Sequence, residues 1–205
     1  ALGAEALTNN TTASENTAVG YEASYTNTTG TANVSLGYQA LRASTTGSFN
    51  TALGRRALYS NTTASNNTAV GFKAGNSNTT GNENTFLGNK AGQSVTTGAD
   101  NTFVGSEAGD SNTTGTQNTA LGKGALATIT TASTNTAVGY NALTANTSGS
   151  TNVAVGRETM QANTTGTENV AVGGGALDAN TVGSYNAALG NAALGSDTKG
   201  SRSVA

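Results

Sequence analysis

The chain contains no cysteine, no proline, no histidine and no tryptophan, and only 10% of its residues are charged. Each absence removes a class of answer. Without cysteine there is neither a disulfide framework nor a thiolate metal site, and without histidine the commonest general base and metal ligand is missing. Leucine, isoleucine, valine and phenylalanine are sparse, which in many chains signals disorder, yet a net charge of −2 is too small to hold a chain open by self-repulsion. Something other than bulk hydrophobicity must order it. No apolar run approaches the ~20 residues of a membrane-spanning helix, so membrane insertion is not expected of this segment. Lysine and arginine are scattered through the sequence without forming a basic stripe, which argues against nucleic acid as a partner.

What is present is a period. Asparagine recurs at Asn16, Asn33, Asn50, Asn67, Asn84, Asn101, Asn118, Asn135, Asn152, Asn169 and Asn186, always 17 residues apart and with no insertion. Counting this asparagine as position 0, position 4 is glycine in every copy from Gly3 to Gly190, position 3 is always valine or leucine, and position 12 is always threonine. Position 7 is alanine except at Thr159, and position 14 is glycine or alanine. The fullest statement of the unit is NTAVGYNALTANTSGST, residues 135–151. A frame this strict means that equivalent residues stack on one another in space, because stacking imposes the same steric demand at each step.

A unit of 17 residues is too short for the paired helices of a helical solenoid, which need about 33 or more, and it suits one turn of a β-coil. Its glycine, asparagine and threonine also oppose helix. The expected fold is therefore all-β: a parallel β-solenoid with one repeat per turn and about twelve turns, residues 1–205 forming a single array. Alternation in the first strand puts position 1 (Thr17, Val34) and position 3 (Val19, Leu36) on one face. That face is expected to point inward. Leu41, Leu58, Leu126, Leu143 or Met160 at position 8, small residues at position 10 and threonine at position 12 are expected to form the opposite wall, with glycine at positions 4 and 14 reaching φ > 0 at the bends. Burial in so thin a section is modest, so stability is expected to rest on turn-to-turn backbone ladders and on stacked Asn and Thr side chains. The repeat runs to both ends with no capping sequence, and the expectation is a segment of a longer fibre or a subunit that stacks end to end.

The phrases NVAVG (152–156 and 169–173), NTAVG (16–20, 67–71 and 135–139) and NVSLG (33–37) resemble the head repeats of trimeric autotransporter adhesins. The longer phrase is also similar to repeats in phage and bacterial tail-fibre-type proteins that end in a self-cleaving endosialidase-type chaperone. The resemblance covers essentially the whole chain. It implies a left-handed parallel β-roll, a three-chain bundle, and an extracellular, cell-surface or virion setting. The function expected from it is that of a structural or adhesive fibre protein, a surface adhesin, appendage filament or tail fibre. It would act on itself, as a trimer or end-to-end filament, and on a host-surface glycan or protein.

Candidate contact residues follow from the same frame. Position 2 is expected to point away from the core, and Ala18, Ala52, Ala69, Phe86, Phe103, Ala120 and Ala137 form a small-residue ladder suited to a chain–chain interface, the plainer reading being a bare exposed sheet. Position 5 gathers Tyr21, Tyr38, Phe72 and Tyr140, with Arg55, Lys123 and Arg157 in other turns. Aromatic rings beside long cations suit a surface-binding corner for sugars or partner surfaces, against the plainer reading of a corner that tolerates any large side chain. Three successive cations at position 6, Arg56, Lys73 and Lys90, would repel by about 1 kcal/mol per neighbouring pair in water, which fanning of the side chains relieves. The acids occupy turns without forming a recurring pair, so the chain is expected to be no enzyme, with no catalytic residue, metal site or cofactor. Asn-Thr-Thr at Asn10, Asn27, Asn61, Asn78, Asn112 and Asn163 matches the N-glycosylation pattern as a by-product of the repeat. The alternative function is an ice-binding solenoid using the threonines of positions 12 and 13. Against it stand Ser148, Val182 and Lys199, which interrupt position 13.

Overall fold

The computed structural model describes all 205 residues. It is an all-β parallel solenoid without helices: eleven three-residue strands, from β1 (Thr17–Val19) to β11 (Ala187–Leu189), stack in sequence order into one sheet. Register is set by the repeat, Thr17 lying beside Val34 and Thr136 beside Val153, each pair one period apart. The first and last copies add single bridges, Leu2 to Val19 and Ala187 to Val204. At ~4.8 Å per rung the eleven strands make a sheet about 50 Å long.

Most of each turn lies outside the strands, yet it is hydrogen-bonded as regularly as the sheet. Of 135 backbone–backbone hydrogen bonds only 20 lie within the strands, so the ladder is carried largely by the bends. The bonds run between equivalent places in successive turns, for example Ser24 N–H to the Ala40 carbonyl and Thr28 N–H to the Thr45 carbonyl. This is the turn-to-turn ladder that the thin section demanded.

Each bend except the one at Thr159 begins with a turn closed by the position-7 N–H on the position-4 carbonyl, as in Ala57 to Gly54. Its third residue, Arg56, has φ 58°, the left-handed value that a type II turn requires there. Position 8 and position 16 are left-handed as well, including Leu58 at 49° and Thr151 at 60°. Such a residue costs of order 1–3 kcal/mol unless it is glycine or asparagine, and β-branched threonine is the least suited. Thr151→Gly is therefore expected to raise stability by about 1 kcal/mol, measured as a higher urea midpoint. A lower midpoint would mean that the position carries no such strain.

The glycines at the two bends have different reasons. At position 4 φ is positive, as at Gly88 (140°), and a Cβ there would stand 2.5 Å from the Gly105 carbonyl oxygen. Position 14 differs from the sequence expectation, since Gly30, Gly47 and Gly81 do not have positive φ. They are small because a Cβ would press on the carbonyl of the next turn. The backbone there is open to an L-residue, so alanine at Ala64 and Ala132 requires only a local shift away from the next turn's carbonyl.

The orientation of the strand is the reverse of the expected one. Position 2 points inward: Ala18, Ala52, Ala69, Phe86, Phe103, Ala120 and Ala137 are all 0% exposed within their own coil and are closed to any neighbouring chain. Positions 1 and 3 point outward, giving the strands an exposed–buried–exposed rhythm. The physical reason is width. Position 2 faces position 8, and a leucine such as Leu58 or Leu143 leaves room for little more than alanine opposite. Where position 2 is phenylalanine, position 8 is glycine: a Cβ on Gly75 would lie 2.5 Å from the Phe86 ring, and Gly92 and Gly109 are blocked by Phe86 and Phe103 in the same way. The two rings lie 6.0 Å apart, inside the core and not at a chain contact. A second exchange is polar. Ser24 replaces the position-8 leucine and Ser35 the position-2 alanine, and their hydroxyls hydrogen-bond at 2.8 Å in the interior.

Two asparagine files complete the core. Each position-0 side chain accepts the backbone N–H of the next asparagine and donates to a position-14 carbonyl, as Asn101 does to Asn118 N–H (3.0 Å) and to the Gly115 oxygen (2.9 Å). The second file, at position 11, donates to the position-14 carbonyl from the other side, as in Asn112 to Gly115. These bonds satisfy most of the buried polar groups of the two files, Asn27 Oδ1 and Ser44 Oγ at position 11 being the exceptions, which is how a section so poor in hydrocarbon can be closed. Position 12 does not point inward as expected. Its threonines are half-buried or exposed, and each hydroxyl donates to the carbonyl of the equivalent residue one turn on, as in Thr79 to Thr96 at 3.0 Å.

Candidate functional site

Two surfaces interrupt the uniformity of the rod. The first is the outer face of the sheet. Its two columns are threonine or valine at position 1, with alanine in β11, and valine or leucine at position 3, and no strand carries a charged residue. Leu36 is 51% exposed and Leu121 47%, with Val34, Val70 and Val170 also exposed. A continuous file of aliphatic side chains on the outside of an ordered sheet is the feature expected of a covered surface. The reading of position 2 as an interface missed it. The signal was in the sequence, since positions 1 and 3 carry no charge in any copy.

The second surface is a corner in turns two to six, where positions 5, 6 and 9 lie side by side. At position 5 the rings of Tyr21 and Tyr38 stack at 5.4 Å with 20° between planes. The Arg55 guanidinium continues the column, 5.7 Å from the Tyr38 ring and 5.6 Å from that of Phe72, whose ring also carries Lys73 at 5.4 Å. At position 9, Arg42 lies between Tyr25 (5.4 Å) and Tyr59 (5.9 Å). Arg56 at position 6 leans over Tyr59 at 5.2 Å and donates through Nε to Gln39 Oε1 at 2.9 Å. The columns are thus alternating ring–cation stacks, each contact adding a modest attraction that fixes a long flexible side chain. Three of the four predicted corner residues, Tyr21, Tyr38 and Phe72, come together here. Tyr140 does not, being four turns beyond Phe72 with Lys123 and Arg157 as its column neighbours. Tyr25, Arg42 and Tyr59 escaped the sequence reading, although their recurrence at position 9 in successive copies marks them.

Charge is partly cancelled at one end of the corner. Glu22 Oε2 accepts from Arg42 Nε at 2.6 Å and from Gln39 Nε2 at 2.7 Å. The hydrogen bond from Arg42, then that from Gln39, holds the Glu22 carboxyl below its ordinary value of 4.5. An acid lowered by folding stabilises the fold above its unfolded pKa, and that contribution disappears as pH falls through the folded one. Melting temperature should therefore drop on acidification below pH 4.5 by less in Glu22→Gln than in the parent chain; equal drops would show that the pair contributes nothing. The only other ion pair is Arg157 with Glu158, so Arg55, Arg56, Lys73 and Lys90 have no acidic partner.

The remaining sequence candidates are accounted for by the core. Asn27, Asn61, Asn78, Asn112 and Asn163 of the Asn-Thr-Thr phrases are at most 1% exposed and hydrogen-bonded inside the coil, out of reach of a glycosylating enzyme in the folded chain. The threonines of position 13 form an exposed file, while those of position 12 have their hydroxyls committed to the backbone. No protein-family model matches this sequence, and no characterised protein and no solved structure is similar enough to count as a match, so both surfaces are read from their own residues.

Proposed function

We propose that this chain is a non-enzymatic structural rod, the repeating segment of a fibre at a cell surface or virion, and that it joins other copies of itself through the outer face of its sheet. The observation that carries this reading is the uncharged face running the length of the eleven strands, a file of valine and leucine beside a file made mostly of threonine. A face three residues wide and about 50 Å long covers roughly 500 Å². Two such faces in contact bury about 1,000 Å², the lower bound for a specific interface. Its surface relief repeats once per turn, and the partner that matches this period over the whole length is another copy of the same chain. Absence of histidine and cysteine, and acids dispersed over bends, support a mechanical and adhesive role over a catalytic one.

Sedimentation velocity tests the assembly. The parent chain is expected at two or three times its 20.1 kDa mass. Val70→Lys with Leu121→Lys, which buries charge at the contact, is expected to give monomers with an unchanged circular-dichroism spectrum. A parent chain that sediments as a monomer at all concentrations would overturn the proposal. The ice-binding alternative is supported by the exposed threonine file at position 13, but a single file with the adjoining hydroxyls already bonded is a narrow template for a water lattice.

A further inference from the structure

The corner of turns two to six concentrates what the rest of the rod lacks. Five of the ten aromatic residues (Tyr21, Tyr25, Tyr38, Tyr59, Phe72) and five of the nine lysines and arginines (Arg42, Arg55, Arg56, Lys73, Lys90) lie in it. A repeat that needs only to stack has no reason to gather them. We propose that this corner is a binding site for a linear acidic polysaccharide, one that carries carboxylate or sulfate groups along its length.

Four observations lead there. First, Arg56, Lys73 and Lys90 occupy position 6 of successive turns, each at the ~4.8 Å rung spacing from the next, with Arg55 beside Arg56 in the same turn, and none of the four is in an ion pair. Like charges held so close repel, and an anionic chain laid along the rod would relieve that repulsion while gaining charge-assisted hydrogen bonds. Second, the cations are already fixed. Arg55 is held between Tyr38 and Phe72, Arg56 over Tyr59 with its Nε on Gln39, and Lys73 over Phe72. Little side-chain entropy remains to be lost on binding.

Third, the positive surface has ends. Glu22, paired with Arg42, closes it on one side. On the other, the position-6 column changes sign one turn beyond Lys90, at Glu107. Between these ends it runs for about four rungs, roughly 20 Å, the scale of a short stretch of polymer. Fourth, the rings favour sugar over nucleic acid. Nucleobases need open ring faces to stack on, but Tyr21 and Tyr38 cover each other and Arg55 covers the far face of Tyr38 and one face of Phe72. Both tyrosines are partly open to solvent, Tyr21 42% and Tyr38 43% exposed, and the Tyr38 hydroxyl can donate to and accept from the hydroxyls of a sugar. The site occupies repeat positions distinct from the outer sheet face, so it stands or falls independently of self-association.

The test is calorimetric titration of the full chain with defined oligosaccharides: a sulfated one from heparin, a carboxylated one from hyaluronan, and neutral dextran. Single-stranded DNA and poly-glutamate of matched charge are titrated in parallel. The expected result is binding of at least one acidic oligosaccharide, none of dextran, and weaker binding of DNA and poly-glutamate. The sulfated and carboxylated arms show which anion is preferred. R56Q with K73Q is expected to weaken binding at least tenfold, and Y21S with Y38S to weaken it for the glycan but not for DNA. K123Q with R157Q, outside the corner, is expected to leave it unchanged. Circular dichroism and sedimentation of every variant show that fold and assembly are intact. The proposal is overturned if no acidic oligosaccharide binds, if DNA or poly-glutamate binds as tightly, or if the outside pair weakens binding as much as the corner pair.

Discussion

Phe86→Ala is expected to cost about 3–5 kcal/mol of unfolding free energy, the range for deleting a fully buried aromatic ring that its surroundings cannot collapse to fill. Phe86 is 0% exposed and lies against Gly75, Gly92 and Phe103, and none of the glycines has a side chain to move into the space. The stronger form of the prediction concerns sign. In the parent chain Gly92→Leu should destabilise by about 1–3 kcal/mol or more, because its side chain would enter the volume of both rings. In the background of Phe86→Ala with Phe103→Ala the same substitution should stabilise by roughly 2 kcal/mol. It recreates the alanine-against-leucine layer of the other turns, where Leu58 and Leu143 accept the same left-handed backbone at 49° and 52°. Urea unfolding of the four chains measures the cycle. A Gly92→Leu effect of the same sign in both backgrounds would show that positions 2 and 8 do not share one space.

The asparagine file gives the second large effect, and it carries a pH signature. The Asn118 side-chain amide donates to Asn101 Oδ1 at 3.2 Å and to the Ala132 carbonyl at 2.9 Å, while its oxygen accepts the Asn135 N–H at 3.0 Å. Asn118→Asp turns the donor into a second oxygen facing two acceptors, in a site with no solvent exposure. At pH 7 the loss is expected to exceed about 3 kcal/mol, as for an uncompensated buried charge. Burial raises the pKa of such a carboxyl in the folded state, so the loss is fully present above that raised value. It shrinks as pH falls towards the unfolded value of about 3.9, where both states bind the proton. Asn118→Ala should instead lose stability to a similar extent at pH 7 and pH 4. A pH-independent Asn118→Asp would mean that the ladder is open to water.

The period, the single array and the stacking of equivalent residues were legible from the sequence because an uninterrupted 17-residue frame leaves little else for a chain to do. The asparagine and threonine ladders were legible for the same reason. What misled was the inside and the outside. Alternation shows which residues share a face and says nothing of which face is buried, and valine and leucine at position 3 were assigned inward by the ordinary preference of large aliphatics for cores. In a coil this thin the opposite holds, because a leucine from the far wall fills the section and leaves room for alanine. The corrective sign was available: phenylalanine at position 2 occurs where position 8 is glycine, at Phe86 and Phe103 with Gly75, Gly92 and Gly109. Exchange of volume between two positions is the mark of residues that touch. The second arm was harder to read, because it is built from left-handed residues such as Lys73 and Leu58 whose identity does not announce that conformation. Of the corner, the position-5 column was visible, but its junction with Arg42, Tyr25 and Tyr59 depends on how the bend folds back beside it.

Because the chain has no cysteine of its own, thiol labelling of single substitutions tests the account at its centre, that position 2 is interior and the outer sheet face joins copies of the chain. Three variants suffice: A120C on the inner side of its strand, L121C on the outer face and T114C at an exposed bend. The account predicts that T114C reacts with a maleimide at the rate of a free thiol, that A120C does not react until the chain unfolds, and that L121C is protected in the assembled protein and forms a disulfide between chains on oxidation. An L121C that labels as fast as T114C without cross-linking, or an A120C that labels in the folded chain, would contradict it.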